Sequence, residues 1–121
     1  MRSGMGAAVY SARISVVTAP VVAGAYGGMV RDWDQATVRR VPFGVELQPG
    51  GRMEETENGS RVFVRSGWRL ITPPGRLLDV APTDRIRVDG WDHDLDVVGE
   101  TGDWDHPMLR HTELDLEVSH G

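Results

Sequence analysis

Apolar and polar residues alternate in short runs along most of this chain. Ile14 and Val16 are in phase within residues 12–18, and three apolar residues are in phase within residues 112–118. A period of two places successive side chains on opposite faces of a β-strand. No stretch repeats apolar residues at i, i+3, i+4 and i+7 over three turns, so the pattern predicts little helix.

Fifteen glycines and seven prolines divide the chain into short segments. Pro42 and Gly44 interrupt one run, which is typical of an edge strand or a β-bulge, and Gly67 permits a bend in another. Many short strands at such spacing predict an all-β fold, a small antiparallel β-barrel, in a single domain of residues 1–121. Residues 1–11 are predicted to be a flexible N-terminal segment. The predicted strands lie in residues 12–18, 36–48, 61–71, 84–88, 91–98 and 112–118.

The most acidic part of the chain is DRIRVDGWDHDLDV, residues 84–97, with an Asp-Gly pair at 89–90. Asp-Gly between two alternating runs is a strong signal for a two-residue type I′ hairpin turn. Such a turn would place Arg87 opposite Asp92 and Arg85 opposite Asp94. The aspartates would then form the solvated face of a hairpin, paired with arginines across the strands.

This hairpin also argues against a metal site. Aspartates on one strand face recur only every ~6.6 Å, whereas a cation needs several oxygens converging at about 2–2.6 Å. His93 would lie on the opposite, apolar face, so no metal ligand set is predicted. That apolar face would consist of Ile86, Val88, Trp91, His93, Leu95 and Val97.

Charge and composition narrow the function classes. The formal net charge is −5, which is unfavourable for a general nucleic-acid-binding surface but suits a protein past which DNA must move without sticking. There is no cysteine, which excludes disulfides and thiolate metal sites. No apolar run approaches the ~20 residues of a membrane span, and Arg13 makes the N-terminus a poor signal peptide, so a soluble intracellular protein is expected.

Catalytic patterns do not emerge from the sequence. GAYGGM, residues 24–29, follows no parallel strand and opens no helix, so it predicts a turn rather than a phosphate loop. Glu54, Glu55 and Glu57 lie in a glycine-flanked stretch without an apolar pocket to raise a pKa. We therefore expect no enzymatic activity and no cofactor.

Several turn and strand motifs follow one another along the chain. They are YGGMVRDWDQATVRRVPF (26–43), RLITPPG (69–75), PTDRIRVDG (82–90), VVGETGDWDHP (97–107) and HTELDLEV (111–118). Their order resembles that of the head-to-tail stopper, or head-closure, proteins of long-tailed bacteriophages. No single motif is specific, and the resemblance depends on their joint order from about Val16 onward. His93 stands where an aromatic residue is expected, and the acidic run is heavier than usual.

The resemblance implies a small β-barrel that acts as a structural virion protein of the phage neck. Such proteins assemble as rings of twelve below the portal and adaptor, retain the packaged DNA and offer a docking surface to the tail side. Isolated subunits of the family are commonly monomeric, and DNA passes through the ring without sequence-specific binding. The alternatives are another neck or tail-completion component, and a small β-barrel binding module or enzyme outside phage biology.

Residues 49–60, PGGRMEETENGS, are predicted to form a long mobile loop. One interpretation is a solvent-exposed hairpin connection. The resemblance implies a loop that projects into the central channel, where glutamates would repel DNA phosphates. The candidate channel residues are Arg52, Met53, Glu54, Glu55 and Glu57.

The four tryptophans divide into two predicted groups. Trp68 and Trp91 are in phase with apolar neighbours and are predicted to belong to the core. Trp33 and Trp104 lie in aspartate-rich segments, where they either cover an end of the barrel or anchor an interface with a ring or tail partner.

Overall fold

A computed structural model describes residues 9–55, 57–104 and 110–119, with the backbone alone for residues 51–55, 61–66, 100–101 and 103–104. The predicted flexible segment 1–11 lies largely outside the described residues. Within the described ranges, no helix is long and apolar enough to cross a bilayer.

The all-β prediction is confirmed. From Ser11 onward, the one helical element of the described residues is a 3-10 turn at Trp33–Gln35, and all other regular structure is strand. The strands are β1 (Ile14–Thr18), β2 (Val21–Ala23), β3 (Met29–Arg31), β4 (Thr37–Arg40), β5 (Glu46–Glu55), β6 (Arg61–Ile71), β7 (Arg85–Val88), β8 (Asp94–Trp104) and β9 (His111–Val118).

Seven strands form one antiparallel sheet in the order β4-β1-β7-β8-β9-β6-β5, and β2 and β3 form a separate two-stranded ribbon. The large sheet curls so that its two sides approach each other. Ala12, before β1, and Val45, before β5, exchange two backbone hydrogen bonds of 3.0 and 2.9 Å. Among the described residues there is no ladder between the edge strands β4 and β5, so the structure is a curled sheet joined at this bridge, and a closed barrel is not formed by continuous pairing.

One apolar cluster fills the inside of the curl. Ile14 of β1 and Leu70 of β6 lie far apart in the strand order, yet both are fully buried in the same cluster. A flat sheet would keep them separate, so burial of one apolar face is what curls the sheet. The buried cluster comprises Ile14, Val16, Val41, Val45, Leu70, Leu78, Ile86, Val88, Leu95, Leu114 and Leu116.

The predicted break in residues 36–48 is confirmed, since β4 ends before Pro42 and β5 begins after Gly44. A side chain at Gly44 would meet the carbonyl oxygen of Tyr10 at 2.1 Å, so only glycine fits there. β6 continues through Gly67, where a bend is predicted, and its pairing with β5 is irregular next to this residue, since Gly50 pairs with Gly67 and Arg52 with Val64. Gly67 also allows close approach of β9, whose Leu116 carbonyl oxygen would lie 2.3 Å from an added Cβ.

The predicted β7–β8 register is wrong by two residues. Arg87 pairs with Asp94 and Arg85 with Asp96, and Asp92 is outside the ladder. Within the turn between β7 and β8, Gly90 alone has a positive φ, of 84°, and the Trp91 N–H donates to the Val88 carbonyl at 3.1 Å. A single positive φ at the third turn position fits a type II turn rather than type I′, so the connection is longer than two residues.

The predicted division of the hairpin into an apolar and an ionic face still holds, with one exception. Ile86, Val88 and Leu95 are buried, and Arg85 and Arg87 bind aspartates on the other face. The exception is His93, which the shifted register leaves exposed in the turn, where its Nδ1 lies 2.8 Å from an Asp92 carboxylate oxygen.

The loop after β6 is anchored by a buried threonine pair. The Thr72 N–H donates to the Thr112 carbonyl at 3.0 Å, and the Thr112 hydroxyl accepts from the Leu78 N–H at 3.0 Å. Both threonines are 1% exposed or less, so their polar atoms depend on these partners. Pro73 to Arg76 form the turn predicted at the Pro-Pro-Gly motif, with φ of 82° at Gly75.

Replacing Gly67 with alanine is expected to destabilise the fold, because the new methyl group would force β9 away from β6. Overpacking of this kind costs typically about 1–3 kcal/mol. Gly102→Ala is the matched control, since its Cβ would lie 3.6 Å from the Glu113 carbonyl, an ordinary contact. Urea unfolding would measure both, and equal midpoints for the two variants would contradict the close approach.

Thr112→Val is expected to lower the free energy of unfolding by about 1–3 kcal/mol, since it leaves the buried Leu78 N–H without its acceptor. Thr37→Val, on the exposed strand β4, is the control and should change stability by less than about 0.5 kcal/mol. Thermal unfolding of the two variants provides the measurement. A loss no larger at position 112 than at position 37 would show that the loop is held by other contacts.

Candidate interaction surfaces

Two hairpins extend from opposite ends of the curled sheet. Every neighbouring pair in the sheet is antiparallel, and five steps separate β1 from β5, so these two strands run in opposite directions. The antiparallel bridge between Ala12 and Val45 agrees with this. The β2–β3 ribbon follows the C-terminal end of β1, and the β5–β6 turn follows the C-terminal end of β5.

The first of these hairpins, here called the polar arm, comprises residues 50–66 of β5 and β6. The β9 ladder on β6 begins at Gly67, so among the described residues the backbone beyond that point pairs only within the arm. A register shift between Gly50 and Arg52 marks the base of the arm. Its turn has Gly59 at φ 85°.

The candidate channel residues all belong to the polar arm, although most are not in a loop. Arg52, Met53, Glu54 and Glu55 are in β5, and only Glu57 is in the turn, where it is exposed. The prediction of a long loop over residues 49–60 is therefore wrong for its first half. Residues 62–64, Val-Phe-Val, are strong strand formers, and they pair with residues 52–54, whose own composition favours a loop.

The second hairpin, here called the apolar arm, is the β2–β3 ribbon with its turn, residues 21–31. Every residue of both strands is exposed. Val22 pairs with Val30 across the ribbon, and the turn between Gly24 and Gly28 is closed by a 2.6 Å backbone hydrogen bond, as the GAYGGM pattern predicts. Tyr26 at the tip is fully exposed.

Hydrogen bonds tie the apolar arm to the sheet at its base. The Arg31 guanidinium donates to the Ala19 carbonyl at 3.0 Å, and the Asp32 N–H donates to the Pro20 carbonyl at 2.8 Å. These bonds fix the direction in which the arm leaves β1 while its strands remain uncovered. A hydrophobic ribbon in this position is a candidate docking element.

Trp33 and Trp104 lie at the same end of the sheet as the apolar arm, because β1 and β8 run in the same direction. Trp33 is half-buried, and the Arg85 guanidinium lies 3.7 Å from the centroid of its ring. The Arg85 Nε in turn donates to Asp96 at 3.1 Å. Trp33 thus has a local cation–π partner. The Trp104 backbone pairs with His111, and its side chain is outside the described part of the structure.

An open cleft lies at the opposite end of β1 from the apolar arm. It encloses about 490 Å³ between the start of β1, the end of β7 and the first residues of β5. Trp68 and Trp91 line it, with ring centroids 5.0 Å apart and ring planes tilted by 58°. Both pack against the core, as predicted, but both remain half-exposed because they face this cleft.

Arginine–carboxylate pairs cover the outside of the sheet. Arg87 binds Asp94 through two hydrogen bonds of 2.9 and 3.0 Å. Arg40 makes two bonds of 2.6 and 2.8 Å to Asp89, and these hydrogen bonds lower the pKa of the Asp89 carboxyl. Among the described residues, no three or more His, Asp or Glu side chains are grouped to hold a metal ion.

The most enclosed of these ionic groups surrounds Glu113 of β9. Arg69 donates to Glu113 at 2.5 Å and to Asp115 at 2.8 Å, and His111 Nε2 lies 2.7 Å from the other Glu113 oxygen. Burial raises the pKa of Glu113, but the hydrogen bonds from His111 and Arg69 together outweigh it, so the pKa is lowered from 4.5. The charged carboxylate is thus favoured in the folded state.

We expect Glu113 to stabilise the protein above pH 4.5 and to lose that contribution as the pH falls through its lower folded pKa. Glu113→Gln should therefore reduce stability at pH 7 and weaken the loss of stability on acidification. Asp34→Asn, at an exposed carboxylate on the 3-10 turn, is the control. Urea midpoints measured from pH 7 to pH 3 provide the comparison, and parallel pH profiles for wild type and Glu113→Gln would contradict the assignment.

Comparison with known protein families, with curated proteins and with solved structures finds no match to this chain. The functional conclusion therefore depends on the order of sequence motifs and on the surfaces described above.

Proposed function

We propose that this protein is a structural subunit of the neck of a long-tailed bacteriophage, a head-to-tail stopper. It assembles as a ring below the portal and adaptor, retains packaged DNA and presents a surface to the tail side. The order of turn motifs along the chain suggests the family. The observation that carries the proposal is the polar arm, which extends beyond the sheet at the position where the resemblance implies a channel element.

The length of the polar arm suits an element that reaches into a channel. Residues 61–66 of β6 lie beyond the β9 ladder. Six strand residues at about 3.4 Å each give an extension of roughly 20 Å. In a ring of subunits, arms of this length pointing inward would narrow the opening without requiring the sheets themselves to meet.

The charge of the polar arm suits a passage for DNA. Strong phosphate binding requires an excess of lysine and arginine, and each neutralised phosphate makes the binding more salt-dependent. Three positive and three negative side chains cancel in the arm, and the backbones of Glu55 and Arg61 lie opposite each other in the ladder. The arm therefore combines reach with little net attraction for DNA. The charged residues are Arg52, Arg61 and Arg65, and Glu54, Glu55 and Glu57.

One observation favours a second candidate, a small β-sheet binding module outside phage biology. The cleft beside Trp68 and Trp91 has a volume of about 490 Å³, within the range of small-ligand sites. Aromatic rings with carboxylates at the rim would suit a flat or cationic ligand. Neither the polar arm nor the apolar arm has a role in this alternative, which is why we favour the stopper.

Shortening the polar arm is expected to leave the sheet folded but to release DNA. In the test variant, an Asn-Gly turn replaces residues 52–64, which keeps the pairs from Glu46 to Gly50 with Gly67 to Ile71. Thermal melting should remain cooperative, since the variant keeps every residue of the described core cluster. Tail-less heads assembled with this variant should retain at least tenfold less packaged DNA, an order-of-magnitude expectation for loss of a closure.

A full-length arm with Glu54, Glu55 and Glu57 all changed to glutamine is the matched control. It keeps the reach and removes the negative charge, so retention of DNA should be largely preserved while passage becomes more salt-sensitive. Normal retention by the shortened variant would contradict a closure role. Loss of the melting transition would instead show that the arm belongs to the fold.

A further inference from the structure

Within residues 9–55, 57–104 and 110–119, no other strand pairs with the apolar arm, and both of its strands are exposed. Tyr26 is 101% exposed, Met29 67% and Val30 50%, and the other members of both strands are exposed as well. A two-stranded ribbon is only marginally stable in water unless something packs against it. Its surface therefore favours an intermolecular partner.

The Trp68–Trp91 cleft has the complementary shape and chemistry. It is concave where the arm is convex, and its lining includes the aromatic pair together with Leu47 and Val88. At about 490 Å³ it has room for an aromatic side chain and its neighbours. Aromatic side chains bury about 150–250 Å² each, and Tyr adds a hydroxyl that needs a hydrogen-bond partner when it is buried.

The polar groups of the cleft also suit a buried tyrosine. Glu46 and Asp89 line the cleft. Both Asp89 carboxylate oxygens accept hydrogen bonds from Arg40, so the Glu46 carboxylate is the acceptor that a tyrosine hydroxyl would use. Arg13 also lines the cleft, so positive and negative groups are both present there. Residues 21–30 of the arm carry no charge, so docking them opposes no charge of the lining.

The arm and the cleft of one molecule cannot meet. The arm leaves the C-terminal end of β1, whereas Ala12 and Arg13 at the N-terminal side of β1 line the cleft. Five strand residues separate the two features, a span of about 17 Å, and the base of the arm is fixed by the Arg31 and Asp32 hydrogen bonds.

We propose that the apolar arm of one copy binds in the Trp68–Trp91 cleft of a second copy, with the side chain of Tyr26 inserted into the cleft. The contact is heterologous, since two different surfaces meet, and repeated contacts of this type build a ring when the rotation between copies closes. The proposal rests on the proposed function in one respect, namely that copies of the chain assemble with one another. It names the contact that would join them.

Cysteine cross-linking tests this contact directly, because the natural chain contains no cysteine. Ala25→Cys places a thiol beside Tyr26 and keeps the tyrosine, and Ser11→Cys places one at the exposed edge of the cleft. Mixed under mild oxidation, the two full-length variants should form the mixed disulfide at least tenfold faster than Ala25→Cys does with Thr83→Cys. That factor is an order-of-magnitude expectation for a specific contact. Thr83 is exposed before β7, at the end of that strand away from the cleft.

Tyr26→Ser added to the Ala25→Cys variant should remove this preference, since loss of a buried tyrosine anchor weakens a contact by about tenfold or more. All substitutions are at exposed positions, and circular dichroism would verify that each variant is folded. Equal cross-linking to positions 11 and 83, or a preference that survives Tyr26→Ser, would overturn the proposed contact.

The two proposals fail separately. Genome retention depends on the polar arm at one end of the sheet, whereas cross-linking depends on the apolar arm at the other. Loss of DNA with the shortened polar arm, together with unselective cross-linking, would leave the stopper role intact and reject this contact. Selective cross-linking with normal DNA retention would establish the contact between copies and reject the closure role.

Discussion

The fold depends on the burial of one apolar sheet face in one interior. Seven strands supply that face, and no helix layer covers it in the part of the chain that the structure describes. Curling the sheet brings Ile14 and Leu70 into the same cluster and removes both from water. At about 25 cal/mol per Å² of apolar surface, this term is the main favourable contribution to folding. The bridge between Ala12 and Val45 is a consequence of the curl, since it forms only when the two sides of the sheet meet.

Arginine–carboxylate pairs on the outer face contribute little to the free energy of folding, but they agree with the register of the strands. Exposed pairs are typically worth no more than about 1 kcal/mol each, so they do not hold the sheet together. They do match the strand register, as Arg87 with Asp94 and Arg85 with Asp96 show. Of the five aspartates in residues 84–97, Asp94 and Asp96 are thereby paired across the hairpin, and Asp89 is paired with Arg40 of β4.

The two arms give the molecule two ends of different character. Alternating strand direction places them at opposite ends, and each extends backbone beyond the curled sheet. One has cancelling charges and the other is an exposed hydrophobic ribbon. A subunit of a ring around DNA needs both a surface that joins copies and an element that approaches DNA without binding it. This division of character agrees with the proposed neck role.

The alternation in the sequence was enough to predict the all-β class, most strand positions, the break at Pro42 and Gly44, and the separation of Ile86 and Leu95 from the charged face. These features depend on the period of two and on local turn chemistry, which neighbouring residues determine. The β7–β8 register and the strand character of β5 were mispredicted. The register and the hydrogen bonds of a strand depend on its partner strand. The alternation of apolar and polar residues along one strand does not determine which residues of the partner lie opposite.

Only the tertiary structure decided where the surfaces lie. The strands of the apolar arm have three residues each, which is too short for an alternating pattern to predict them. The exposure of the arm depends on where the other strands lie in the folded protein. The cleft forms from the residues before β1, from β5, β6 and β7, and from the turn after β7, which are distant in sequence. Trp33 has its partner in Arg85, 52 positions away. The sequence by itself therefore determined which side chains are available and in what local order, and the curl of the sheet determined which of them meet.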